Sequence, residues 1–184
     1  PNQSLRVFFS KLESIFIQHS LETVITKNIS EQQYHDWLAF YEHKTSEHHY
    51  RTVAKPHWWQ QKQQEHTQIN LIELRQNGQR ISGGIVKREG MERITLAFSA
   101  SEYHVLGNKK NHSLGAALNF LFLRYATDGG FSIISAGKSQ NAFGVLNSDG
   151  YLEYKLRLGY VPIIPEGVEL APSVPLTSEG TVSF

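Results

Sequence analysis

The chain contains no cysteine, and that absence removes disulfides, thiolate metal sites and cysteine nucleophiles together. It also lacks any apolar run long enough to cross a bilayer, and it shows no charged segment followed by the apolar core of a secretory signal. Charge of one sign is not in excess: 18 Lys and Arg stand against 17 Asp and Glu in 184 residues. A balance of that kind gives no electrostatic reason for a polyanionic partner. A cytoplasmic location is the expectation. No G-x-S-x-G elbow supports serine-nucleophile chemistry. Gly137-Lys138-Ser139 looks like the end of a phosphate loop, but the first glycine of that frame is missing, since position 132 is Ser132. His43, His48, His49 and His57 crowd one stretch, yet their spacing fits none of the usual zinc patterns, so no metal is expected. The chain opens on Pro1 and not on methionine, which suggests a trimmed chain or the C-terminal part of a longer one.

What is present reads as one domain over residues 1–164, followed by a Pro- and Ser-containing tail over 165–184. Leu5, Phe8, Phe9, Leu12, Ile15, Phe16 and His19 recur at helical spacing, which predicts a helix over 4–19. A short strand is expected over 20–26. Ser30 and Gln33 form a capping box, with Ile29 and Tyr34 placed as a hydrophobic staple, and the helix they open runs to about Lys44. Pro56 sits where a first helical turn accepts it, ahead of Trp58 and Trp59. From Ile69 the period changes to two. Asn77-Gly78 and Glu89-Gly90 mark turns between three antiparallel strands, the last over 92–101. Gly83-Gly84 predicts a bulge or a close backbone approach in the middle strand.

Leu114, Ala117, Leu118, Leu121, Phe122 and Tyr125 then make a complete helical stripe, and Ala116, Phe120 and Leu123 make the other side apolar as well. Such a helix is covered on most of its circumference. It ends at Asp128-Gly129-Gly130 and leads to a strand over 131–135, a small-residue loop, and a last helix over 151–159. The order predicts a mixed α/β sheet: an antiparallel meander, then a βαβ crossover, with helices on both faces.

The junction "KKNHSLGAA" (109–117) opens the buried helix. First-turn amides lack internal partners and lie at the positive end of the dipole, so Lys109, Lys110, His112 and the Ser113–Ala117 backbone suit a phosphate. Ser113 capping a plain core helix is the other reading, and both stay open at this point.

The succession of meander, buried helix, strand and final helix resembles the GNAT acyltransferase superfamily. Its signature, Gln/Arg-x-x-Gly-x-Gly/Ala, is met here by Gly115 and Ala117, with His112 in place of Gln or Arg. The stretch "ISAGKSQNAFGVLNSDGYLEYKLRLGY" is similar to FemAB-like acyltransferases, through Gly137, Lys138 and Ser139 and through Tyr154, Lys155, Leu158 and Gly159. The resemblance covers roughly residues 69–162 and implies an N-acyltransferase. Its co-substrate would be acyl-CoA such as acetyl-CoA, with no tightly bound cofactor. Its acceptor would be an amino sugar, an amino acid or a cell-wall or polysaccharide precursor. Lys110, His112, Ser113, Gly115, Ala116 and Ala117 would hold the donor, and Lys138, Ser139 and Lys155 the substrate. Glu102, Tyr103 or His104 would take the ammonium proton, and Tyr151 or Tyr154 would protonate the leaving thiolate. Two departures bear on this. Ser135 stands where the FemAB-like pattern often has an acid. The long helical arm of aminoacyl-tRNA-dependent members has no counterpart, which favours a thioester over a tRNA-bound donor. The alternatives are that tRNA-dependent transfer, or a binding or scaffolding domain with an eroded site.

Overall fold

A computed structural model describes residues 1, 3–47, 54–104, 106, 112–137 and 149–161. Among these the chain is a mixed α/β protein. Its elements are α1 (Gln3–Phe9), α2 (Leu12–Gln18), β1 (Leu21–Thr26), α3 (Glu31–Glu47), α4 (Trp58–Gln64), β2 (Gln68–Gln76), β3 (Gln79–Glu89), β4 (Arg93–Ser101), α5 (Leu114–Asp128), β5 (Ile133–Ser135) and α6 (Asp149–Leu158). The five strands lie in chain order. The first four pair antiparallel, and β5 joins β4 in parallel after the α5 crossover. No helix among the described residues is long and apolar enough to cross a membrane.

Both faces of the sheet are covered, which is why β2 is buried at six consecutive positions instead of alternating. Ile69, Leu71 and Ile85 face Tyr34, Trp37 and Leu38 of α3. Ile72, Val86, Ile94 and Leu96 face Leu118, Phe122 and Ala126 of α5. The outer side of α5 is covered in turn by Leu5, Phe8, Phe9 and Leu12. That sandwiching accounts for the helix being apolar all round. The capping box at α3 forms as expected: the Ser30 amide donates to Gln33 Oε1 at 2.9 Å and the Gln33 amide to Ser30 Oγ at 3.2 Å.

Two local expectations are revised, and of the two readings of Gly83-Gly84 one holds. The helix expected over 4–19 is broken in two at Ser10–Lys11, where the Lys11 amide bonds Phe8 O at 3.1 Å in an i→i−3 step. The Ser10 hydroxyl donates to Val7 O at 2.9 Å and competes for the carbonyls that a continuous helix needs. Pro56 lies in a turn ahead of α4 and not in its first turn. The Gly83-Gly84 pair is a close approach, not a bulge. A Cβ on Gly83 would lie 3.1 Å from Trp37, and one on Gly84 would lie 2.8 Å from Leu96. The register shifts fall elsewhere, between Leu74 and Arg75 and between Ile85 and Val86.

Candidate functional site

Strands β4 and β5 pair over three positions, from Arg93↔Ile133 to Thr95↔Ser135. Beyond them β4 continues to Ser101, while the other chain turns away through Gly137 at φ +70. A side chain on Gly137 would press to 3.2 Å from Leu96 O, so the turn requires glycine both for its conformation and for its space. The strands therefore part, and a narrow cleft of about 30 Å³ opens between them. Leu96, Ala97, Phe98 and Ser99 line one side; Asn119 of α5 and Tyr154 and Lys155 of α6 line the other.

At this point β4 is irregular. Ile85 pairs with Phe98 and Val86 with Leu96, so Ala97 is an extra residue. The extra residue of a bulge is left out of the ladder, and bulges are over-represented beside active sites, where they re-aim groups. A parted strand pair thus coincides with a displaced peptide.

Three polar side chains stand over the cleft wall. Asn119 is 6% exposed within a helix whose other buried residues are Leu, Ala and Phe. Its Nδ2 donates to Gly115 O at 2.9 Å and to the Tyr154 hydroxyl at 3.1 Å. Lys155 is 7% exposed and donates to Gly137 O at 3.1 Å, which ties α6 to the turn after β5. Burial of the Lys155 ammonium pushes its pKa below the ordinary lysine value. The unfolded chain therefore binds more protons than the native one between that depressed value and about 10.4, the free-lysine value. Stability from this group accordingly rises with pH across that alkaline window. Lys155→Met is expected to lose this rise. Urea unfolding of both proteins from neutral to alkaline pH checks it, and parallel pH profiles would refute it.

Next to the Tyr154 hydroxyl lies the start of α5. Ser113 caps it, accepting from the Ala116 amide at 3.3 Å, and the Leu114 amide donates to His104 O at 3.3 Å. The Gly115 amide has no partner among the described residues. A Cβ on Gly115 would lie 3.7 to 3.8 Å from the hydroxyls of Tyr154, Ser101 and Ser113. Ser101 in turn shares a 2.6 Å hydrogen bond with the buried Ser82.

The expected site residues divide into three sets. Tyr154 and Lys155 reach the cleft, and Gly115 borders Tyr154. Ala116 and Ala117 are fully buried and face the α1 side of the core. The His112 ring stacks on Phe8 (centroids 4.6 Å apart, 10° between planes) and shares a 3.0 Å hydrogen bond with Ser4, so it anchors the loop to α1. Glu102 and Tyr103 stand exposed just past β4, outside the cleft lining; Glu102 pairs with Lys44 of α3 at 3.4 Å. Lys109, Lys110, Lys138, Ser139 and the side chain of Tyr151 lie outside the described part of the structure, as do His48, His49 and the tail over 165–184. Ser135 accepts from the Gly137 amide at 3.2 Å and steadies the turn. Among the described residues no group of acidic and histidine side chains is arranged to hold a metal.

Asn119 and the Ala97 bulge are the features that sequence reasoning passed over. Asn119 was visible as a lone amide in "GAALNFLFL". The bulge has no sequence signal of its own. A wider groove of about 550 Å³ on the opposite side of α5 is lined by Phe9, Phe16, Ile25 and Phe120 among others. Its charged groups pair with one another, Arg124 with Glu13 at 3.4 Å and with Asp128 at 3.8 Å. They converge on no reacting centre. Compared with models of protein families and with curated proteins, the chain gives no match.

Proposed function

We propose that this protein is a GNAT-fold N-acyltransferase of the FemAB-like kind, moving an acyl group from an acyl-CoA-type thioester to an amine. The observation that carries the reading is the parting of β4 from β5 at the Ala97 bulge, in a cleft that Tyr154 and Lys155 also line. A thioester carbonyl laid in that gap would lie beside the displaced Ala97 peptide and the Lys155 ammonium; an oxyanion is steadied by N–H donors and positive charge. The amine attacks the carbonyl carbon, the carbon–sulfur bond breaks, and Tyr154 supplies a proton to the departing thiolate. Glu102 and Tyr103, at the open end of β4, are assigned to take the ammonium proton. The acceptor is an amino sugar, an amino acid or a cell-wall precursor, and the compartment is the cytoplasm, where acyl-CoA is held.

The Gly115 amide, without a partner among the described residues, suits a donor phosphate, and Lys110 would add charge there. Thermal unfolding with CoA and acetyl-CoA tests this. At about a hundred times its dissociation constant either ligand is expected to add about 2.7 kcal/mol, and Gly115→Glu is expected to abolish the gain while the protein still folds. A second reading, a binding domain without donor chemistry, is favoured by one observation. The Leu114 and Ala116 amides are already bonded within the protein. No shift with either ligand would turn the choice to that reading.

A further inference from the structure

Asn119 is 6% exposed, yet only one end of its side-chain amide is bonded. Nδ2 donates to Gly115 O at 2.9 Å and lies 3.1 Å from the Tyr154 oxygen. A carbonyl accepts and cannot donate, so the end turned to Gly115 O is the NH₂, and Oδ1 is held as the other end. Oδ1 has no hydrogen-bond partner among the described residues, and the protein does not wall it in. The open space that Asn119 borders is the cleft where β4 and β5 part. A buried residue thus offers that cleft a fixed, unused acceptor.

We propose that Asn119 reads the acyl group: its Oδ1 accepts from a hydroxyl next to the acyl carbonyl, so the group transferred is a short 2-hydroxyacyl group of the glycolyl kind. The inference rests on the acyl-transfer reading, which seats the thioester carbonyl in this cleft. Size is the first constraint. The cleft is about 30 Å³, room for about two water-sized groups. A glycolyl group has only a methylene and a hydroxyl beyond its carbonyl. Hydrogen-bond type is the second constraint. A fixed acceptor is satisfied by an O–H or an N–H, whereas a methyl leaves it buried and unpaired, which costs more than the bond itself would gain. Charge is the third. The Lys155 ammonium lines the same cleft, so the ammonium of a glycyl group would stand beside a like charge. A hydroxyl supplies the donor without the charge.

The composition of α5 supports a role for this oxygen beyond packing. The other buried residues of the helix are Leu, Ala and Phe, and asparagine is a weak helix former. The back-bond to Gly115 O explains how the amide is tolerated in the helix, but it uses the nitrogen alone. A ligand that enters the cleft takes the place of solvent at Oδ1 and must return the bond that solvent gave. A hydroxyl returns it. A methyl of the same size does not.

The test is calorimetric binding of CoA and of its acetyl, propionyl, glycolyl and glycyl thioesters to the full chain, which needs no knowledge of the acceptor. Propionyl is the control of matched size, since it carries a methyl where glycolyl carries the hydroxyl. Glycolyl-CoA is expected to bind about tenfold or more tighter than propionyl-CoA, and tighter than glycyl-CoA as well. Equal affinities for glycolyl-CoA and propionyl-CoA, or a preference for propionyl-CoA, would overturn the proposal. So would a preference for glycyl-CoA over glycolyl-CoA.

Asn119→Leu keeps the volume and removes the acceptor. It is expected to bring the glycolyl-to-propionyl affinity ratio to about one or below, because nothing is then left to pair with the hydroxyl. The ratio is taken within each protein, so any loss that the substitution causes through Gly115 O or Tyr154 cancels from it. An undiminished ratio in Asn119→Leu would mean that another group reads the hydroxyl, and the idea would fall. Should that variant not fold, the wild-type ratio decides alone. If wild type binds neither CoA nor any of its thioesters, the acyl-CoA reading falls and takes this inference with it. If CoA binds and the thioesters bind alike, this inference alone falls.

Discussion

Trp37→Ala is expected to lower the unfolding free energy by about 3 kcal/mol, the bottom of the usual range for deleting a buried indole. Trp37 is fully buried and is the largest such side chain among the described residues. Its ring lies 5.0 Å from Tyr41 and 6.2 Å from Phe98, and its edge fills the space that Gly83 leaves by having no Cβ. Lost packing alone argues for about 4 kcal/mol. Against that, Trp37 Nε1 is buried with no hydrogen-bond partner among the described residues, and removing an unsatisfied donor returns about 1 kcal/mol or more. Packing wins. Trp37→Phe separates the two effects, since it deletes the N–H but keeps a ring, and its expected cost is below about 1.5 kcal/mol. Urea unfolding of both variants checks the pair. A loss for Trp37→Phe well above about 1.5 kcal/mol would show that the indole N–H is satisfied in solution. Phe98 lines the cleft, so the same substitution loosens the floor of the candidate site.

Glu73→Ala is expected to cost about 3 kcal/mol or more, from a different source. The carboxylate is 1% exposed, bonded to Arg75 at 2.8 Å and in short contact with Arg80. Arg80 also donates to Asp36 O at 2.9 Å and sits 5.8 Å from the Phe40 ring, so it joins β3 to α3. Taking away the acid leaves two guanidinium groups without their counter-charge, which is the costly half of breaking a buried pair. Arg75 is 36% exposed and recovers part of its hydration; Arg80, at 18%, recovers less. The double variant Glu73→Ala, Arg80→Ala should therefore be less destabilised than the sum of the singles. Additive losses would mean that the two residues act independently.

Much of this architecture was legible because it is written in local chemistry. The Asn77-Gly78 turn, the Ser30–Gln33 box and the stripe along α5 each rest on neighbours within a few residues, and each element forms where the pattern puts it. The parts that were not legible depend on distant partners. Nothing near Ala97 distinguishes it from its neighbours, and the bulge exists only in register with β3. His112 looked like a phosphate ligand because it precedes a helix. The partners that take it up, Ser4 and Phe8, lie more than a hundred residues away in sequence. The split of the first helix hinges on one serine hydroxyl competing for a carbonyl. Asn119 was visible, but its meaning required knowing that Tyr154 would lie beside it.

The parting of β4 from β5 also has a consequence for how the molecule comes into being. Strands β2, β3 and β4 are joined by tight turns, so the meander closes short loops and forms early. The cleft has no second wall until β5 has crossed over α5 and α6 has brought Tyr154 and Lys155 into place. On a ribosome the sheet is thus able to assemble well before the site exists. A chain stalled short of residue 155 would carry the sheet without the α6 wall of the cleft.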